Sequence, residues 1–143
     1  MAKVIAKNPL ARWNFDLLET YQAGLVLEGW EVKSIRQKKV DLRGAYCLFR
    51  KQELYVVNMH VDRYMNAEGN EKRDRKLLLK KQELRKLALS QKMRGLTIVP
   101  VTLTLSPRGL VKLTIALGRG KSKFDKREKI KERDQLRQNR SYF

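Results

Sequence analysis

Acid–base, nucleophilic or metal chemistry would have to come from very few residues. Cys47 and His60 each occur once in the 143-residue chain. A Cys–His nucleophile pair exists on paper, but both residues sit in β-prone runs with nothing catalytic around them. Cys47 reads more simply as a small buried hydrophobe, and His60 as a strand residue. One cysteine and one histidine fall short of the ligand set of a structural zinc site, so no metal is expected. A lone cysteine also rules out an intramolecular disulfide and suits a reducing compartment. Carboxylates pair at Glu28/Glu31, Glu68/Glu71 and Glu128/Glu132, each among lysines and arginines and without a histidine beside it. They read as solvated faces. Gly118-Arg119-Gly120-Lys121 follows a strand-like run but lacks the longer spacing of a phosphate loop, and reads as a hinge. No catalytic residue and no cofactor are expected.

Positive charge is what the chain does offer. Lys and Arg number 33 against 15 Asp and Glu, a formal net charge of +18. A compact domain gains nothing from such self-repulsion, so the excess implies a polyanionic partner: nucleic acid first, an anionic membrane surface second. No apolar run approaches the ~20 residues of a membrane-spanning helix. Met1 to Pro9 contains Lys3 and Lys7 and no apolar signal segment, so a cytoplasmic chain is expected. Lysines and arginines on a small domain neutralise phosphates and release counterions. Exposed aromatics would stack on unpaired bases, at ~1–3 kcal/mol per base. Tyr21, Tyr55, Tyr64 and Phe124 are the candidates; Tyr55 reads as core, and Phe124, between Lys123 and Asp125, as functional.

These side chains need elements to hold them. Trp13 to Tyr21 reads as a first strand. Ala23, Val26, Leu27, Trp30 and Ser34 fall on one stripe of an amphipathic helix through Arg36, leaving Lys33 and Arg36 off the stripe and free to face RNA. Leu42–Phe49 and Leu54–Asn58 are two β-prone runs joined by a turn at Arg50 to Glu53, and Val61 to Asp74 reads as a loop. Arg73 to Lys76 leads into Leu77-Leu78-Leu79 and a helix through Leu84, Leu87 and Ala88, which Gly95 ends. Leu96–Leu105 and Leu110–Leu117 form a hairpin across Ser106-Pro107-Arg108-Gly109, with Val111, Leu113, Ile115 and Leu117 on its apolar face. The prediction is a mainly β fold: an OB-like antiparallel β-barrel over residues 1–120 with two or three flanking helices. A flat α+β sandwich is the alternative.

Composition changes at Gly118. From Lys121 to Phe143 there are nine basic residues and four acidic ones. Ile130 and Leu136 are six apart and cannot share a helix face. Without an apolar stripe such a segment is marginal alone in water, so residues 121–143 are expected to be a basic tail, disordered when free and helical against RNA.

Four strings then carry a resemblance over almost the whole chain: YQAGLVLEGWEVKSIR, RKLLLKKQEL, GLTIVP and GRGKSKFDKREKIKER, in this order. Together they resemble the SsrA-binding protein (small protein B) family, the partner of transfer-messenger RNA in trans-translation. The resemblance implies an OB-like barrel gripping the tRNA-like domain of that RNA. It also implies a tail that becomes ordered in the empty mRNA channel and reaches the decoding centre on small-subunit rRNA. By position, RNA-gripping residues would include Asn8, Gly24, Lys33 and Arg36, then Arg75, Lys76 and Leu78, and, at the tail's base, Lys121, Lys123, Asp125, Lys126 and Arg127. Lys129, Ile130, Lys131, Arg133 and Arg137 would contact the ribosome. Tyr21 and Gln22 join the RNA-binding set, although Gln22 stands where the family commonly has Glu. Phe124 replaces the usual His or Tyr, and the loop at Asn66 to Asp74 is shorter than the common form. The expected protein is a monomer that delivers RNA to stalled ribosomes and makes or breaks no bond. A ribosomal or rRNA-binding OB protein with a basic extension and an enzyme, such as a nuclease or RNA-modifying protein, are the competing readings.

Overall fold

A computed structural model of the chain describes residues 2–65 and 67–121. The clearest sequence signal becomes its spine. β8 (Thr97–Leu105) and β9 (Val111–Gly120) form the long hairpin, paired from Thr97↔Gly118 to Leu105↔Val111. Leu113, Ile115 and Leu117, the inward residues of β9, have no exposed surface. At the tip Gly109 takes a φ of 85°, a conformation that a side chain would strain.

The other strands close around this hairpin. β2 (Phe15–Leu25) pairs with β9, then with β7 (Arg75–Leu78). β7 pairs with β5 (Glu53–Val57), β5 with β4 (Tyr46–Arg50), and β4 reaches β8 through Cys47↔Ile98. The antiparallel order β8-β4-β5-β7-β2-β9 thus returns to β8, a ring of the expected OB-like kind that leaves few edges open. β1 (Lys3–Lys7) adds to the far end of β8, and β3 (Val40–Asp41) pairs with β6 (His60–Val61). Leu54, Val56, Ile98 and Leu103 fill the interior together with Cys47. Burial pushes the Cys47 thiol far up, so it is not a nucleophile at neutral pH.

Among the described residues three helices flank the ring: α1 (Pro9–Asn14), α2 (Gly29–Arg36) and α3 (Lys81–Arg94). Gly95, left-handed at φ 63°, ends α3 as its position in the sequence suggests.

Several elements differ from the sequence expectation. The strand expected from Trp13 starts at Phe15 and comes second in the chain, after β1, because Pro9 opens a short helix where its missing N–H costs nothing. The long helix expected from Ala23 does not form there: β2 continues to Leu25 with partners on both sides, and Ala23 is a core residue. α2 begins six residues later, where the Glu28 N–H donates to Glu31 Oε1 at 2.7 Å, a reciprocal cap that fixes the boundary. Leu77 and Leu78 lie in strand β7 instead of leading into α3, because a place between β5 and β2 buries Leu77 more fully than a helix start would.

Candidate nucleic-acid interface

Cross-strand partners in an antiparallel pair point to the same face, so register alone sorts the expected site residues. Gly24 lies between Leu78 of β7 and Lys112 of β9, Gln22 lies opposite Thr114, and Lys76 lies opposite Tyr55. Gln22, Gly24, Lys76 and Leu78 therefore share the outer face of the ring, together with Tyr55, Lys112 and Thr114. Leu78 is 51% exposed, which is unusual for a leucine at the centre of a sheet. Lys76 Nζ donates to Glu53 Oε1 at 3.0 Å, and the Tyr55 hydroxyl donates to Glu53 Oε2 at 3.0 Å. The Lys76 contact first, then that of Tyr55, holds the Glu53 carboxyl below its ordinary value.

α2 borders this face. Lys33 and Arg36 are exposed. Lys33 Nζ sits 5.3 Å from the Tyr64 ring centroid, a cation–π contact. A Cβ built on Gly109 would lie 3.1 Å from Arg36 Nη2, so Arg36 reaches the hairpin tip.

Arg75 does not belong to this surface. Alternation along β7 sends Lys76 and Leu78 outward and Arg75 and Leu77 inward, and Arg75 has no exposed surface at all. Its Nε pairs with Glu31, its Nη1 donates to the Met59 carbonyl, and its Nη2 donates to the Glu71 carbonyl at 3.1 Å. Glu31, expected on a solvated face, is likewise fully buried and also accepts from Arg73 Nη2 at 2.6 Å. Burial by itself would raise the Glu31 carboxyl, but the bonds from Arg73 and from the Glu28 N–H, with the charge of Arg75, hold it below its ordinary value. This cluster ties the first turn of α2 to β7, and so fixes Lys33 and Arg36 relative to Lys76 and Leu78. Arg75 is a positioning residue and cannot touch RNA directly in this arrangement.

Three further expectations change in the same way. Asn8 is 6% exposed; its Nδ2 donates to the Pro100 carbonyl at 2.9 Å, tethering the β1–α1 corner to β8, and its Oδ1 is buried without a hydrogen-bond partner among the described residues. Tyr21 shares the inner register with Ala23, packs partly against the core, and donates its hydroxyl to Glu19 at 3.0 Å. The Lys121 side chain is only 3% exposed: Nζ donates to the Arg12 carbonyl at 2.8 Å and lies 3.6 Å from Asp16. It fastens the end of β9 to the C-terminal end of α1, where a cation is favoured. Lys123, Phe124, Asp125, Lys126 and Arg127, with Lys129, Ile130, Lys131, Arg133 and Arg137, lie outside the described residues.

His60 is a strand residue in β6, but its Nε2 is 2.8 Å from Asp62 Oδ1 and 3.1 Å from Glu71 Oε2. Arg63 Nε stands 3.7 Å from Glu71 Oε1, so the contacts of the His60 ring and one ion pair account for the group. Sequence reading missed this cluster because Glu71 is distant in the chain. It also missed Lys112 and Leu110, for which the only signal was the outward phase of β9.

A closed antiparallel ring whose outer face gathers cations and an open leucine has the build of a nucleic-acid-binding module. The comparisons agree. The profile of the family described as "SmpB protein" matches residues 5–143. The SsrA-binding protein of Mycoplasma mobile is 47% identical over 132 residues, 92% of each chain. That of Nostoc punctiforme is 49% identical over 140 residues, 94% of this chain and 89% of its own. A chain solved in "tmRNA-SmpB: a journey to the center of the bacterial ribosome" superposes with a TM-score of 0.69 at 41% identity, covering 82% of this chain and 85% of that one. The chain belongs to the SsrA-binding protein (SmpB) family.

Proposed function

We propose that the chain binds transfer-messenger RNA through the outer face of β7, β2 and β9 together with α2, and delivers it to stalled ribosomes in the cytoplasm during trans-translation. The observation that carries this is the gathering of Gln22, Gly24, Lys76 and Leu78 on one open face bordered by Lys33 and Arg36. Family membership and the ribosome-associated SmpB neighbour support the choice of RNA. Phosphates would meet the lysines and arginines, and the open leucine offers an apolar platform for a base. Residues 1–120 act as the gripping body. Residues 121–143 are the tail that takes up structure in the empty mRNA channel near the decoding centre, the eight basic residues beyond Lys121 meeting rRNA. The protein acts as a monomer, without a cofactor, and performs no bond chemistry.

The body should shift transfer-messenger RNA in a gel far below the concentration needed for bulk rRNA. Equal affinities would instead mark a general rRNA binder, and cleavage of the RNA on incubation with divalent metal would mark an enzyme. β9 runs to Gly120 and Lys121 is fastened to α1, so the informative truncation ends after Lys121. It should keep RNA affinity within about threefold while rescue on stalled ribosomes is lost; equal loss of both activities would refute the division into grip and tail.

A further inference from the structure

We infer that the tip of the β8–β9 hairpin is the third wall of the RNA-binding face, and that the groove between this tip, α2 and Leu78 takes an unpaired nucleotide of the bound RNA. The inference rests on the RNA-binding reading above and assigns a subsite within it. The groove, about 260 Å³, is lined by Gly24, Leu27, Val32, Leu78, Leu110 and Lys112 among others, and among the described residues no acidic one lines it. Leu110 is 56% exposed and Leu78 51%, two large apolar side chains left open in the lining of one slot. Such a slot suits the flat face of a base.

Charge selects the occupant. Lys112 lies in the lining, Arg36 stands against Gly109 at the rim, and Lys33 is exposed one residue from Val32. An apolar protein segment would leave those cations without partners, whereas a nucleotide brings the phosphate as well as the ring. The tip is also stiff before anything binds. The Ser106 N–H donates to the Leu110 carbonyl at 2.8 Å, the Gly109 N–H to the Ser106 carbonyl at 2.9 Å, and the Leu110 N–H to Ser106 Oγ at 3.0 Å. Little ordering entropy remains to be lost on association.

Gly24 forms part of the lining. It needs no left-handed backbone, and a Cβ there would meet Leu78 Cβ at 3.4 Å, within ordinary contact. The fold would accept alanine at this position, yet a strand glycine costs stability. Close approach of a ligand is the compensating reason for it.

The test is the binding of transfer-messenger RNA to the full chain, measured over a series of salt concentrations, with thermal melting as the fold control. Leu110→Asp should weaken binding about tenfold or more, and Leu110→Ala severalfold with the salt slope unchanged, as an apolar contact requires. Lys112→Ala should lower the salt slope by about one. If Leu110→Asp and Lys112→Ala bind as tightly as the unaltered chain, the groove is not an RNA subsite, while the RNA-binding reading stands. If the unaltered chain fails to bind this RNA, both fall. Normal RNA binding with lost rescue in the Leu110 variants would assign the groove to a ribosomal partner and overturn the inference.

Discussion

The two faces of strand β7 hold positive charge on opposite terms. Inside, Arg75 is stripped of water and depends on Glu31 and two carbonyl oxygens. Outside, one residue further on, Lys76 stays half-buried and shares Glu53 with Tyr55. The inner cation is committed to the fold and the outer one remains available to a ligand. Net charge alone says nothing about that division. A strand's two-residue period does, because it separates neighbours by the full thickness of the sheet.

The contrast is broken most forcefully from the inside. Arg75→Met leaves Glu31 buried with Arg73 but without Arg75, and should cost about 3 kcal/mol in urea unfolding, the low end for breaking a buried pair. Glu31→Leu combined with Arg75→Met should recover much of that loss. If the single variant unfolds like the unaltered chain, the buried pair is not what joins α2 to β7. Leu78→Asp works from the outside. It should weaken transfer-messenger RNA binding at least tenfold, about 1.4 kcal/mol, with stability changed by roughly 0.5 kcal/mol or less, the range of surface substitutions. A matching fall in melting temperature would place Leu78 in the core.

The smallest effect sharpens the comparison through pH. The folded Glu31 carboxyl lies below its ordinary value of 4.5, so its ion pair contributes full stability above that pH. The contribution is lost as pH falls through the ordinary value toward the folded one. Glu31→Gln should therefore unfold more readily at neutral pH and show a shallower decline in acid, which denaturation at pH 7 and pH 3.5 would measure. An unchanged acid slope would mean that other carboxylates carry the acid sensitivity.

How much could be read without coordinates depends on whether local pattern or tertiary pairing decided each element. The β8–β9 hairpin was legible because Val111, Leu113, Ile115 and Leu117 alternate strictly and a Ser-Pro-Arg-Gly turn precedes them. Gly95 was legible because the end of a helix needs a left-handed residue. β7 was not, since three leucines in a row suit a helix as well as a strand until β5 and β2 compete for them. The family resemblance, carried over by position, grouped Arg75 with Lys76 and Leu78, and strand alternation in β7 separates them. Ala23 was assigned to the wrong element because the helical stripe was traced through residues that β2 had claimed, and Glu31 was read as solvated because basic neighbours in sequence do not show that Arg73 and Arg75 enclose it.

The sequence by itself determined that the partner is a polyanion, that thiol and zinc chemistry were not expected, and which strings tie the chain to its family, because charge and composition need no fold to be counted. Only the tertiary structure decided which cations face outward. It turned Arg75 and Lys121 into structural ties, kept Lys33, Arg36 and Lys76 accessible, and brought Leu110 and Leu78 into the lining of one groove. Whether a charged side chain binds a ligand or a neighbour depends on what lies within a few ångströms of it, and strand register sets that distance.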